Sequence, residues 1–180
     1  MEKRIWGVMG KMGAGKDVVT DYLQELGWQE IGMGDIVREI ACERGIEPAR
    51  ENLDKIQNEY TDKYGRGFLS KTVIERIEKS DYINIAVNGI RRPEDAEELE
   101  KAYDDIFLLG VDADPKVRFD RMKSRGRIGD PKTYEEFLEM DANQEKIFRI
   151  DETFSKADYI LHNNGTMEEL KKKVDELLVI

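Results

Sequence analysis

Apolar positions along this chain alternate between two periods. Ile5-Trp6-Gly7-Val8 is a short apolar run of strand length; Val18, Val19, Tyr22, Leu23 and Leu26 then recur three and four apart, the spacing of one helix face. Gly27 closes that helix, and Trp28-Gln29-Glu30-Ile31 reads as a second strand. Ile36, Val37, Ile40 and Ala41 mark the next helix, ended by Gly45, with Asp35 placed to cap its start. After Pro48, Leu53, Ile56, Tyr60 and Tyr64 share a face; past Gly65 and Gly67, so do Leu69, Val73, Ile74 and Ile77. Residues 34–78 are therefore nearly all helix, inserted between two strands.

The alternation continues to the end. Tyr82 to Val87 predicts the third strand, followed by Asn88-Gly89-Ile90-Arg91-Arg92 and a helix opened by Pro93 and favoured by Glu94, Asp95, Glu97 and Glu98. Ile106 to Val111 is a continuous apolar run, as in a strand covered on both faces. A helix from about Pro115 leads to a loop at Gly126, Gly129 and Pro131, and Tyr134, Phe137 and Leu138 begin another. Tyr159-Ile160-Leu161 is the last strand and Asn163-Asn164-Gly165 its turn; Met167, Leu170, Val174, Leu177 and Leu178 form the closing helix. Strands alternating with helices predict an α/β fold with a parallel sheet under right-handed crossovers. At 180 residues the chain reads as a single domain, 1–180.

Between the first strand and the first helix lies Gly10-Lys11-Met12-Gly13-Ala14-Gly15-Lys16-Asp17. Strand, glycine loop and helix together read as a phosphate-binding P-loop. The glycines let successive N–H groups turn inward on one anion, the helix presents its positive end, and Lys16 adds a mobile charge. This predicts a nucleotide polyphosphate along Gly10 to Val18. A structural glycine turn without a ligand is the plainer alternative. Where the pattern asks for Ser or Thr after the lysine, to ligate Mg²⁺, the chain has Asp17.

Composition narrows the chemistry. With 39 acidic and 29 basic side chains the formal charge is −10, which does not favour nucleic acid as a partner; anionic ligands must meet local basic clusters. One such cluster is Arg118, Arg121, Lys123, Arg125 and Arg127, either a solvated helix face or the cations of a lid closing over phosphates. The single cysteine, Cys42, excludes an internal disulfide and a cysteine-rich metal site, and with a single histidine, His162, that has no partner for base chemistry in sight, neither a histidine metal cluster nor a Ser-His-Asp triad is expected. The apolar stretch after Lys3 and Arg4 stops at Lys11, too short for a signal peptide, and no run approaches the ~20 residues of a membrane span. A cytoplasmic protein, without membrane partners, is expected.

Taken together, these segments resemble the adenylate-kinase-type P-loop kinases over nearly the whole chain. Gly34-Asp35-Ile36-Val37-Arg38-Glu39 is similar to the segment whose arginine holds the acceptor phosphate. Asn88-Gly89-Ile90-Arg91-Arg92 resembles their Asp-Gly-Phe-Pro-Arg; that register matches Arg92, while small, functionally unassigned relatives favour Arg91. Arg121 and Arg125 match the arginine pair before the lid. Ala157-Asp158-Tyr159-Ile160 and the Asn-Asn-Gly turn resemble both those relatives and dephospho-coenzyme A kinases, as does Gln144 the latter. The resemblance implies a three-layer P-loop NTPase fold with five parallel strands ordered 2-3-1-4-5, a helical substrate arm at about 34–78 and a short lid at about 125–148. It implies ATP and Mg²⁺ as cofactors and a small phosphate-bearing acceptor, nucleoside monophosphate or dephospho-coenzyme A in type, with the protein a monomer or small homo-oligomer. Lys16, Arg121, Arg125, Arg127 and Asp35 become catalytic candidates; Asn164 and Gly165 join the loop in holding the donor; Asp35, Arg38, Arg91 and Arg92 hold the acceptor. Asp17, Asn88 (where the family has aspartate) and Met140 (where coenzyme-A-type relatives often carry arginine) depart from the pattern. A compensating pair, Asp17 as metal ligand and Asn88 as neutral partner, is one reading of this. A nucleotide-binding protein or slow NTPase without kinase activity is the other.

Overall fold

The computed structural model describes residues 3–127 and 129–179; Met1, Glu2, Ile180 and Ile128, which falls in the predicted lid, lie outside the described residues. Among the described residues β1 (Arg4–Gly10), β2 (Gln29–Gly32), β3 (Asn84–Ile90), β4 (Phe107–Asp112) and β5 (Tyr159–His162) form one sheet in the order β2-β3-β1-β4-β5. Every pairing is parallel, so the expected class and strand order hold. Helices cover both faces because successive strand side chains point to opposite sides. Ile5 and Met9 of β1 join Ile85, Val87 and Leu108 in one buried cluster with residues of α2 (Met33–Glu43), α3 (Arg50–Tyr64), α4 (Phe68–Lys79), α5 (Pro93–Ala102) and α8 (Ile150–Phe154). Trp6 and Val8 join Ala86, Leu109 and Val111 in the other, under α1 (Lys16–Glu25) and α9 (Met167–Leu178). A smaller cluster of Phe119, Met122 and Phe137 packs α6 (Pro115–Arg125) on α7 (Tyr134–Phe148) and takes in Met12 from the glycine loop. No helix among the described residues is long and apolar enough to cross a membrane.

Two local expectations are corrected. The third strand begins at Asn84 rather than Tyr82 and continues to Ile90 rather than stopping at Val87. Tyr82 and Ile83 are apolar yet 53 % and 42 % exposed, outside the sheet. At the other end, the β1–β3 register jumps from Val8↔Asn88 to Met9↔Ile90, so Gly89, at φ 89, is the extra residue of a bulge. The bulge returns Ile90 to the Val87 face and keeps Asn88 on the α1 face, inside the strand instead of at its end. The second correction is Asp35, which does not cap its helix. Gly32 is the N-cap of α2, without a side-chain cap, and Asp35 lies in the first turn.

Candidate active site

The glycine loop joins the end of β1 to the start of α1. Gly15, the α1 N-cap, has φ 101, and no side chain caps the helix. The first N–H groups of a helix lack intrahelical partners, and an open end of this kind suits an anion. Two glycines are sterically required. A Cβ at Gly13 (φ 74) would stand 2.6 Å from the Arg118 carbonyl oxygen, and one at Gly15 would stand 2.5 Å from Asn163 Nδ2. Within the loop the Ala14 N–H donates to the Lys11 carbonyl at 3.1 Å.

Several side chains brace this loop from outside. Asn163 Nδ2 donates to the Ala14 carbonyl at 2.8 Å. Arg121 donates to the carbonyls of Asn163 and Gly165, each at 2.9 Å, and to that of Ala14 at 3.5 Å. Sequence placed Arg121 over the phosphates; the structure has it tying the loop to the β5–α9 turn, with burial lowering its pKa. Arg118 is 2 % exposed; it makes two 2.7 Å bonds to Asp141 of α7 and donates to the carbonyls of Ala113 and Met12. Removing one partner of a buried pair costs about 3–5 kcal/mol in general, which marks Arg118 as a strut rather than a ligand cation. Lys11 pairs with Asp151 of α8 at 2.8 Å; burial lowers its pKa, but Asp151 outweighs that and raises it. The Asn164 side-chain oxygen accepts the Asp114 N–H at 2.8 Å. Asn164 and Gly165 border an open groove of about 450 Å³ with Val117, Asp120, Arg121 and Ser124.

At the end of α6, Arg125 makes two bonds to Asp130, at 3.0 and 2.6 Å, and the Arg127 N–H donates to the same carboxylate at 2.9 Å. Asp130 raises the Arg125 pKa, with a further contribution from Asp17. Asp17 itself pairs with Lys16. Burial pushes its carboxyl up, but the charge and hydrogen bond of Lys16, the Asn88 amide and the charge of Arg127 outweigh this and lower it. Asn88 Nδ2 donates to Glu30 Oε1 at 2.6 Å and Thr20 Oγ1 at 3.2 Å, and contacts Asp17 Oδ1 at 3.4 Å. The Asn88 amide oxygen is buried with no hydrogen-bond partner. Among the described residues no group of three His, Cys, Asp or Glu side chains is arranged to hold a metal.

Further cations lie on the elements that follow the paired strands β2 and β3, whose carboxyl ends are the edge where α/β sheets bind ligands: Arg38 on α2, and Arg91 and Arg92 just past β3. Arg38 bonds to Asp35 at 2.5 Å on α2. The guanidiniums of Arg91 and Arg92 lie 5.3 and 5.1 Å from the centre of the Phe148 ring. Thr153 Oγ1 donates to the Arg91 carbonyl at 2.8 Å, so α8 supports this turn as well as Lys11. Arg149, between α7 and α8, has φ 54 and pairs with Glu94 and Glu152. Sequence reasoning missed Glu30, Asn163 and the carboxylates Asp130, Asp141 and Asp151. Asp130 alone lay within reach, five residues beyond Arg125 in the predicted lid.

The sheet order and the glycine loop before an uncapped helix define a P-loop kinase-like fold. Its fold resembles shikimate kinase from Bacteroides thetaiotaomicron, with TM-score 0.65 and 14 % identity over 98 % of this chain and 99 % of that one. A gluconokinase from Sinorhizobium meliloti gives TM-score 0.59 and 14 % identity over 98 % and 91 %. At such identities the likeness is one of fold. In sequence, residues 7–144 match the AAA domain family, and the chain belongs to it. It also belongs with the UPF0200 proteins. It is 34 % identical to one from Hyperthermus butylicus over 171 residues, 95 % of this chain and 91 % of that one. To one from Thermococcus kodakarensis it is 32 % identical over 180 residues, covering 95 % and 96 %.

Proposed function

We propose that the protein is an ATP-dependent phosphotransferase that moves the γ-phosphoryl group to a nucleotide-like acceptor of nucleoside monophosphate or dephospho-coenzyme A type. The observation that carries this reading is the presence of two separate cation sets. Lys16, Arg125 and Arg127 belong to the glycine loop and to the end of α6 with the segment after it; Arg38 lies on α2, which follows β2, and Arg91 and Arg92 follow β3. Phosphoryl transfer needs this division, because its catalysis is mainly positioning of donor and acceptor plus neutralisation of the transferring group. A protein that only binds or slowly hydrolyses a nucleotide needs just the first set.

In this reading α2–α4, over about 34–78, form the acceptor arm, and about 125–148 form the lid. The loop N–H groups from Gly10 to Val18 and the Lys16 ammonium hold the donor phosphates, while Asn164 and Gly165 border the groove for its base. Arg38 with Arg91 or Arg92 holds the acceptor phosphate. The acceptor oxygen, a phosphate oxygen in a nucleoside monophosphate or a hydroxyl oxygen in a dephospho-coenzyme A type acceptor, attacks the γ-phosphorus as the bond to the ADP oxygen breaks; where it is a hydroxyl, Asp35 takes its proton. Arg125 and Arg127 neutralise the transferring charge once Arg125 exchanges Asp130 for phosphate. Arg121 serves by keeping the loop in shape.

The residues at the loop also fit magnesium. Asp17 offers a hard carboxylate oxygen and Asn88 a buried amide oxygen with no hydrogen-bond partner, which suits an ion that keeps much of its water. Bound Mg²⁺ would supply charge neutralisation between the β- and γ-phosphates. The test is a coupled ADP-release assay against nucleoside monophosphates, nucleosides and dephospho-coenzyme A. Stimulation by one acceptor class supports the proposal; ADP release indifferent to every acceptor supports the slow NTPase, the reading that the Lys16–Asp17 pair favours.

A further inference from the structure

The Asn88 amide carries two nitrogen-bound hydrogens and one acceptor oxygen. One hydrogen meets Glu30 Oε1 at 2.6 Å; the other lies between Thr20 Oγ1 at 3.2 Å and Asp17 Oδ1 at 3.4 Å. Thr20 Oγ1 itself donates to the Asp17 carbonyl at 3.2 Å, so toward Asn88 it is an acceptor. A flipped amide would set oxygen against oxygen at Glu30, its shortest contact, and at Asp17. Glu30 is in turn fixed from α1, its second oxygen accepting Gln24 Nε2 at 2.8 Å. The result is an amide locked nitrogen-first between two carboxylates, with its oxygen buried and without a partner.

We propose that Glu30 is a positioning residue of the nucleotide site: it locks the Asn88 amide so that the amide oxygen is left as the acceptor for a water of the magnesium ion held by Asp17. The inference rests on the magnesium-dependent reading above and adds to it a residue on a different strand, acting only through Asn88. It also explains why position 88 carries an amide. An aspartate there would have no hydrogen to offer Glu30 or Asp17, whereas asparagine bridges both.

The test compares ATP dissociation constants measured calorimetrically with Mg²⁺ and with EDTA; their ratio is the metal's contribution. Glu30→Gln gives the amide a neighbour that accepts either orientation. Its ratio should fall about tenfold, the scale of one hydrogen bond, while affinity in EDTA stays unchanged. Asn88→Asp should also lower the ratio. Glu30→Gln combined with Asn88→Asp should recover it, because the amide introduced on β2 would donate to the carboxylate introduced on β3. Were Glu30 acting by its charge alone, Asn88→Asp, which adds negative charge, would raise the ratio. That result, or a wild-type ratio in Glu30→Gln, overturns the inference. A wild type indifferent to Mg²⁺ overturns the magnesium reading itself, a distinguishable outcome. If melting curves show Glu30→Gln to be unfolded, Gln24→Ala, at an exposed position, carries the test: its ratio should fall several-fold, and an unchanged ratio counts against the proposal.

Discussion

Replacing Asp17 by serine tests the donor site through its most unusual residue. Asp17 pairs with the Lys16 ammonium, and a nucleotide that claims Lys16 removes that neutralising charge. A carboxylate about 4 Å from a phosphate oxygen is then repelled by about 4 kcal/mol at an effective dielectric near 20, and by about 1 kcal/mol in bulk water. The Asp17 side chain is 53 % exposed, so its value falls between these limits. Taking about 2 kcal/mol, the penalty is about thirtyfold in affinity whenever no cation lies between carboxylate and phosphate. Serine removes the repulsion and restores a hydroxyl. Calorimetric titration of ATP should therefore show EDTA weakening wild-type binding about thirtyfold more than it weakens Asp17→Ser. Equal sensitivity in the two proteins would refute the reasoning and return Asp17 to a residue that merely swings clear.

Other outcomes follow from the same geometry. Arg125→Ala should lower kcat more than it raises KM for ATP, because exchange of Asp130 for phosphate is completed only as charge transfers; steady-state kinetics with an unchanged kcat would return Arg125 to a solvated pair. Arg38→Ala should weaken acceptor binding by roughly 1.5–3 kcal/mol while leaving ATP affinity intact, as measured by separate titrations of the two ligands. Asp95 is 3 % exposed, and burial raises its carboxyl to about 6 from 3.8, against the opposing hydrogen bond from Ser70. The folded state then binds a proton more tightly than the unfolded chain, so Asp95 lowers stability as pH rises from about 4 to about 6, by about 3 kcal/mol in all. Asp95→Asn should match wild type near pH 4 and exceed it by up to that amount near pH 8; parallel urea-stability profiles across this range would exclude the shift.

Much of the architecture was legible because its signals are local. The apolar run of β4, the spacing in α1 and α9 and the glycine loop each announce themselves within about ten residues. The end of β3 was not legible, since the bulge at Gly89 exists only in pairing with β1, more than seventy residues away in sequence. The same separation hid the work of the arginine run. Arg118 and Arg121 look alike in sequence to Arg125, but their acceptors are the loop carbonyls of Met12 and Ala14, brought close by the fold. Asp35 failed as a cap because Gly32, at the end of β2, already makes the turn that starts α2. Glu30 carried no motif at all. It matters through contact with Asn88, a residue of the adjacent strand.

Transfer of phosphate from a nucleotide held by Lys16 to a second molecule is the step on which the proposed function stands, and ³¹P NMR of the full chain with MgATP and the acceptor panel reads it without a coupling enzyme. The expected spectrum loses the γ resonance and gains a matching signal from the new phosphoryl group on one acceptor class, a phosphoanhydride on a nucleoside monophosphate or a phosphomonoester on a hydroxyl acceptor, with neither change in Lys16→Ala. Loss of the γ resonance to inorganic phosphate alone, whatever acceptor is present, would contradict the proposal, as would turnover that survives the removal of Lys16.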